Sequence, residues 1–189
     1  MPTIGADIPS PGNAVVLAPL LTQRLRLRPL TIDDVTSVQH FLGNEELAKQ
    51  TVNLPHPFGD KEALDWIQSA FDDLASGSGY TLAIERRPDG VLLGAAGLLV
   101  APKVPTRAEL GYWIARTYWG DGIATEAVNA LIDFGREKAG LSEIWACAFS
   151  ENTGSRRVLE KAGFQEDFTR TEDCPARGGP RSITYYGLD

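Results

Sequence analysis

The chain is short of cysteine, of histidine and of basic charge, and each shortage removes a class of function. Only two cysteines, Cys147 and Cys174, and two histidines occur in 189 residues. No CxxC or Cys/His spacing stands among them, so neither a disulfide framework nor a zinc site is expected, and no metal is called for. With 18 Lys and Arg against 25 Asp and Glu, the formal net charge is −7. An acidic surface repels phosphate polymers and anionic lipid, which argues against nucleic acid and membrane as partners. Long apolar runs are missing too. Ala14 to Leu21 is broken by Pro19 and follows no Lys or Arg, so it lacks the cationic lead of a signal peptide. No segment nears the ~18 apolar residues of a membrane span. A reducing cytoplasm is the expected compartment.

What is present suffices for one core: 189 residues, 43% hydrophobic and 23% charged, fit a single domain of the usual ~100–200 residues. Residues 1–20, rich in Pro, Gly and small side chains, read as a flexible N-terminal arm, and residues 21–189 as the domain. Leu25, Leu27 and Leu30 interleaved with Arg24, Arg26 and Arg28 have the period of a strand with one buried face. Thr31 with Asp33 and Asp34 supplies an N-cap and acidic first turn for a helix with Val35, Val38, Phe41 and Leu42 inside, ended by Gly43. Asp60 caps a second helix with Leu64, Ile67, Phe71 and Leu74 on one face, stopped by Gly77 and Gly79.

Tyr80 to Arg86 and Val91 to Val100 read as a hairpin around Pro88-Asp89-Gly90, where Pro fixes φ and Gly accepts positive φ. Arg107 to Ala115 is a third strand, and Ile123 to Lys138 a helix burying Ala127, Val128, Leu131, Ile132 and Phe134. Ser142 to Phe149 is an apolar central strand, and Asn152 or Thr153 caps a short helix ended by Gly163. Phe164 to Thr171 and Ser182 to Leu188 close the chain as two strands around a flexible Pro175 to Pro180 loop. The order predicts a mixed α+β fold: a mostly antiparallel sheet of about seven strands flanked by about four helices, without an internal repeat.

Between a strand and the long helix stands Trp119-Gly120-Asp121-Gly122-Ile123-Ala124-Thr125-Glu126-Ala127. Glycines let the backbone approach a ligand, and the free N–H groups of a helix's first turn make an anion site suited to a diphosphate. A P-loop would need a Lys that is missing, and a dinucleotide fingerprint a third Gly where Thr125 stands. A purely structural turn would use the same two glycines. One strand further on comes Glu151-Asn152-Thr153-Gly154-Ser155-Arg156-Arg157-Val158-Leu159-Glu160-Lys161-Ala162-Gly163-Phe164. Together with Glu109-Leu110-Gly111-Tyr112-Trp113-Ile114 and the glycine loop, this text resembles the GNAT superfamily of acetyl-CoA-dependent N-acetyltransferases. More narrowly it is similar to the RimJ/RimL-like branch, which acetylates protein N-termini. The likeness runs from about Leu20, with its Leu-Arg-Leu-Arg-Pro-Leu opening, to the C-terminus.

The resemblance implies that strand Leu110 to Ala115 splays from strand Ile144 to Phe149 and that the pantetheine arm of acetyl-CoA lies in the wedge like an added strand. The diphosphate would meet the amides of Trp119, Gly120, Gly122, Ile123, Ala124 and Thr125. Asn152 would lie beside the pantetheine, and Arg156 or Arg157 would meet a phosphate. Glu109 would act as general base toward the acceptor amine, and a backbone N–H at Trp113 or Ile114 would polarise the acetyl oxygen. Many superfamily members carry a Tyr as general acid where this chain has Leu159, so Ser155, one turn earlier, would protonate or hold the leaving thiolate. Asp121 is a second departure, an acid inside an anion loop. His56 and Phe58 fall where relatives line the acceptor cleft, and Tyr112, in an aromatic cluster with Trp113, Tyr118 and Trp119 around the glycine loop, is the third candidate substrate residue. Cys147 is read as a core residue, since attack in a ternary complex needs no enzyme nucleophile.

The expected partners are thus an acyl donor and an amine acceptor, a peptide N-terminus or a small amine, with cationic acceptors favoured by the net charge. A CoA-binding module without turnover is the alternative of a different class. Monomer and homodimer both fit, the strands after Phe164 being able to pair across a dimer.

Overall fold

In the computed structural model, residues 17–52, 54–55 and 57–188 are described. The chain opens with β1 (Leu20–Leu21) and β2 (Leu25–Pro29). A single 3-10 turn, Ile32–Asp34, then precedes α1 (Val35–Leu42). Thr31 is the N-cap of that turn, which runs on into α1, and Asp34 closes the capping box. Its carboxylate accepts from the Thr31 backbone N–H at 2.8 Å and from both Arg28 Nη atoms at 2.8 Å. A short α2 (Glu45–Ala48), capped by the Asn44 side chain, adds a helix that no periodicity announces. In α3 (Asp60–Ser76) the N-cap is Gly59 rather than Asp60, and the Glu62 carboxylate accepts from the Gly59 N–H at 2.9 Å.

β3 (Gly79–Arg86), β4 (Leu92–Ala101) and β5 (Val104–Ile114) form an antiparallel meander. Gly79 therefore begins a strand rather than ending a helix. α4 (Ile123–Glu137), β6 (Glu143–Phe149) and α5 (Thr153–Lys161) follow. β7 (Gln165–Cys174) and β8 (Gly179–Leu188) close the chain. The expected flexible loop is instead one 3-10 turn, Pro175–Arg177, with Gly178 at φ 84°. Both strands continue into it, and their pairing reaches Cys174 and Gly179.

All eight strands form one sheet in the order β1-β2-β3-β4-β5-β6-β8-β7, the short β1 accounting for the strand beyond the expected seven. Neighbours are antiparallel except β5 and β6, which α4 joins as a parallel crossover. Alternation sends Ala108, Leu110, Ile144 and Ala146 to one face, under Ala127, Val128 and Leu131 of α4. The other face packs Ala83, Ala95 and Trp113 against Val38 and Leu42 of α1 and Ala63 and Ile67 of α3. Each fully buried Leu or Ile in these layers contributes about 1.5–3 kcal/mol, so the sheet is held from both sides. Among the described residues no helix is long and apolar enough to cross a membrane.

One feature of the sheet positions everything else. β5 and β6 pair only from Arg107 with Glu143 to Leu110 with Ala146. Beyond that β5 continues on β4 to Ile114 while β6 continues on β8 to Phe149. The two strands diverge and open a gap in the middle of the sheet.

Candidate functional site

The gap widens into a cleft of about 540 Å³. Its floor is Tyr112, Trp113 and Ile114 of β5, and its walls are the Tyr118–Thr125 loop and the start of α5. Leu47, Gln50 and Thr51 line its third side. The backbone exposed in the gap follows from the β4–β5 ladder. Ala115 N–H donates to the Leu93 carbonyl at 2.8 Å, so by alternation Trp113 N–H also turns to β4. Tyr112 and Ile114 then present their N–H and C=O to the gap, which leaves Ile114, not Trp113, as the donor available there. The Ile114 carbonyl already accepts from Trp119 Nε1 at 2.6 Å, which fixes the indole at the cleft's rim.

Gly120 and Gly122 take φ of 90° and 76°, left-handed values that other residues adopt only at a cost. A Cβ at Gly120 would meet nothing within 4 Å, so the loop is open to a ligand on that side. Gly122 caps the N-terminus of α4, whose first-turn amides line the cleft at Ile123, Ala124 and Thr125. Arg24 clamps this loop from the start of β2. Its Nη1 donates to the Asp121 carbonyl at 2.9 Å, its Nε to Glu126 Oε2 at 2.6 Å and its backbone N–H to Oε1 at 2.9 Å. Thr22 adds a donor to the same carboxylate at 2.5 Å. Burial works against the charge of Glu126, but these donors hold its carboxyl below the ordinary range. The Asp121 side chain is exposed, so the acid that departs from the resemblance is hydrated rather than turned onto the loop amides.

At the start of α5, Asn152 Oδ1 accepts from Ser155 N–H at 3.0 Å, and its Nδ2 donates to the Gln50 carbonyl at 3.3 Å. The residue therefore caps the helix and ties α5 to the segment after α2. Ser155 Oγ lies 2.8 Å from Tyr112 Oη, and the phenol also donates to the Ser155 carbonyl at 3.1 Å. Burial pushes the Tyr112 phenol up to about 12. Arg157 and Lys161, one turn apart, line the cleft. Arg156 is directed elsewhere, to Tyr186 Oη at 2.8 Å and Glu166 at 3.1 Å. Leu159 is 1% exposed and belongs to the core.

Glu109 is on β5 three residues before Tyr112 and so on the opposite face, in register with Leu99 of β4 and Trp145 of β6. Burial raises its carboxyl above the usual range. Cys147 shares that face, and burial, with Glu109 nearby, pushes its thiol up to about 12, which keeps it protonated and unreactive. Phe58 is not brought to the cleft: it is 4% exposed and packs in the core layer of Val38, Leu42 and Trp113. His56 lies outside the described residues. Trp113 packs near Phe41 and Trp66, at 6.1 and 6.3 Å between ring centroids. Its buried Nε1 has no hydrogen-bond partner among the described residues.

The sequence assigns no site role to Arg24, Gln50 or Thr51, nor to Lys161, although Lys161 stands within the quoted motif. A second missed residue type is the latch Arg177, whose Nε donates to the Thr51 carbonyl at 2.9 Å and whose Nη2 reaches Thr51 Oγ1 and the Leu54 carbonyl. The only signal for Arg24 was its place in an alternating strand, where it reads as a solvent-facing side chain.

A family model described as an acetyltransferase (GNAT) domain matches residues 24–165. YoaA of Bacillus subtilis (strain 168), named an uncharacterized N-acetyltransferase, is 30% identical over 169 residues, 89% of this chain and 95% of that protein. The uncharacterized N-acetyltransferase p20 of Bacillus licheniformis is 33% identical over 170 residues, 89% of this chain and 94% of that protein. Among solved structures, RimL, a ribosomal L7/L12 α-N-protein acetyltransferase in complex with coenzyme A, superposes with a TM-score of 0.81 at 17% identity, covering 90% of this chain and 97% of that one. Mycobacterium smegmatis RimJ, in complex with CoA-disulfide, gives 0.76 at 23% identity over 87% and 81%. The fold, the opened strand pair and these relatives agree, and the chain belongs to the GNAT family of N-acetyltransferases.

Proposed function

We propose that this N-acetyltransferase acetylates the α-amine of a peptide or protein N-terminus, by direct attack in a ternary complex with acetyl-CoA. The observation that carries the reading is the break in β5–β6 pairing just beyond Glu109, which opens the glycine-loop cleft through the sheet.

The residues present fit a CoA thioester. The Tyr112 and Ile114 backbone groups offer the gap a strand edge to pair with, Gly120 leaves open space for a diphosphate, and Arg157 and Lys161 supply cations. When bound, acetyl-CoA supplies an activated acyl carbon. Trp119, Gly120, Gly122, Ile123, Ala124 and Thr125 hold the diphosphate end, with Arg24 keeping their loop in shape. Ile114 N–H donates to the acetyl oxygen as negative charge develops there. Trp113 contributes through the aromatic layer beneath, with Phe41 and Trp66. Asn152 positions α5 beside the pantetheine arm.

An α-amine with an ordinary pKa near 8 arrives largely protonated and must lose a proton before it attacks. Glu109 takes that proton, directly or through a water, its raised pKa making it a better base than a solvated carboxylate. Ser155, across the sheet, receives the departing sulfur. Tyr112 borders the acceptor's approach, and the net charge of −7 favours a cationic acceptor. The cytoplasm, residues 21–189 as the catalytic unit and a monomer or homodimer complete this reading.

Acetyl-CoA-dependent thiol release against N-terminal peptides, polyamines, amino acids and aminoglycosides tests it, with Glu109→Gln as control. Release with peptides that falls in the variant is the expected result. Release only with a small amine would transfer the acceptor assignment to that class. Acetyl-CoA that raises the melting temperature without turnover on any acceptor would point to a CoA-binding module.

A further inference from the structure

We propose that Tyr112 is a positioning residue that aims the Ser155 hydroxyl at the sulfur leaving the acyl donor. The inference rests on the reading of the cleft as the acyl-donor site.

Helix α5 carries no phenol of its own, and its Leu159 is buried in the core. A phenol reaches this helix from the floor of the cleft. Tyr112 lies on the part of β5 that has left β6, and its Oη stands 2.8 Å from Ser155 Oγ, both residues lining the cleft. A serine hydroxyl in the first turn of a helix rotates freely and readily turns back to local backbone groups. Tyr112 closes that option. Its one hydrogen is within reach of the Ser155 carbonyl at 3.1 Å and of Oγ at 2.8 Å, and once Ser155 donates to sulfur the phenol gives that hydrogen to Oγ, taking one of that oxygen's lone pairs. The Ser155 hydrogen is then left to point into the cleft, where a thiolate is the strongest acceptor available.

The chemistry assigns no proton to Tyr112. A phenol near 12 gives its proton to a thiolate of ordinary pKa about 8.5 only uphill, and a serine hydroxyl still less readily. In the balanced step the C–N bond forms and the C–S bond breaks with its electron pair on sulfur. The amine's proton goes to Glu109, and the thiolate leaves hydrogen-bonded to Ser155 Oγ–H. Tyr112 stays neutral throughout and acts only through Ser155.

Free CoA is the probe, because its thiol can be titrated in the binary complex by the ultraviolet absorbance of the thiolate, without turnover. A donated hydrogen bond lowers the bound thiol's pKa. Ser155→Ala should raise it by roughly one to two units relative to wild type, the size expected for a hydrogen bond to a charged group. Tyr112→Phe should reproduce at least half of that rise, and the double variant should go no further than Ser155→Ala. In turnover, Tyr112→Phe should lower kcat about tenfold with KM for acetyl-CoA unchanged, and Ser155→Thr should recover most of the Ser155→Ala loss. A fluorinated tyrosine placed at 112 keeps fold and hydroxyl while strengthening the donor, and should lower the bound thiol's pKa further.

The outcomes separate the layers of the argument. A wild-type thiol pKa in Tyr112→Phe, or no response to the fluorinated side chain, overturns the role of Tyr112 while a shift in Ser155→Ala keeps Ser155 in place. No shift in Ser155→Ala overturns Ser155 as well. Failure of CoA to bind any of these proteins overturns the donor-site reading beneath both.

Discussion

Arg24 and Glu126 meet at 2.6 Å across 102 residues of sequence, directly behind the glycine loop. Because the same guanidinium also donates to the Asp121 carbonyl, it couples the first turn of α4 to the loop that precedes it. Arg24→Ala should therefore weaken acetyl-CoA binding about five- to tenfold while leaving kcat at saturation within twofold. Lys at this position should not restore it, since one ammonium cannot reproduce a planar fork that bonds a carboxylate and a carbonyl together. Isothermal titration with CoA, beside kcat at saturating donor, checks the split.

A second ion network fixes the other half of the sheet. Arg28 donates to Asp34 at 2.8 Å and to Glu85 at 2.7 Å, and Arg26 adds an ion pair to Glu85. Burial alone would raise the two carboxyls, but the arginines, with Thr31 at Asp34, bring both below their ordinary values of 3.8 and 4.5. A depressed carboxyl contributes stability that is fully present above its unfolded pKa and is lost as pH falls through the folded one. Urea midpoints should accordingly be flat from neutrality to about pH 5 and drop below about pH 4. Asp34→Ala should cost about 3 kcal/mol at neutral pH, because Arg28 is left half-buried with one partner fewer, and should shrink the acid-dependent fall.

Much of this was legible in the sequence and some was not, for identifiable reasons. The glycine loop, the Asn152 cap and the order of strands and helices follow from local chemistry: positive φ, capping side chains and apolar period. Phe58 was misplaced because an aromatic between prolines carries no period that tells a cleft wall from a core layer. Helix α2 is one turn long and held by Asn44 and its packing, below the length at which periodicity registers. Arg24 and Arg177 were illegible because their partners lie 97 to 126 residues away, and long-range hydrogen bonds leave no trace in local spacing.

Glu109 should govern the acid limb of turnover. Its carboxyl is raised by burial, so kcat at saturating acceptor should climb with pH through an apparent pKa above the ordinary 4.5, not at it. Glu109→Gln should lower kcat by about 10²- to 10⁴-fold, abolish that limb and leave CoA affinity nearly intact. A full-length pH profile unchanged by the substitution would remove Glu109 from the proton path and leave a water or the acceptor itself as its carrier.

Arg177 offers a test of how the far side of the cleft is held. It stands in the turn between β7 and β8, yet its guanidinium spans to the Thr51 carbonyl and hydroxyl and to the Leu54 carbonyl, bridging the C-terminal hairpin to the segment between α2 and α3. That segment carries Thr51 on the cleft wall and leads to Phe58 in the core. Two backbone carbonyls that lose a charged donor are stranded in a partly buried place, so Arg177→Ala should cost about 2 kcal/mol. The effect should also be local. Amide exchange over residues 50–58 should accelerate while the buried turns of α4 keep their protection, because nothing in the bridge touches that helix. Lys at 177 keeps the charge but cannot reach both carbonyls from one nitrogen, so it should recover less than half of the lost protection. Exchange that rises equally in α4 would mean that the substitution had loosened the whole sheet and that Arg177 is no local latch.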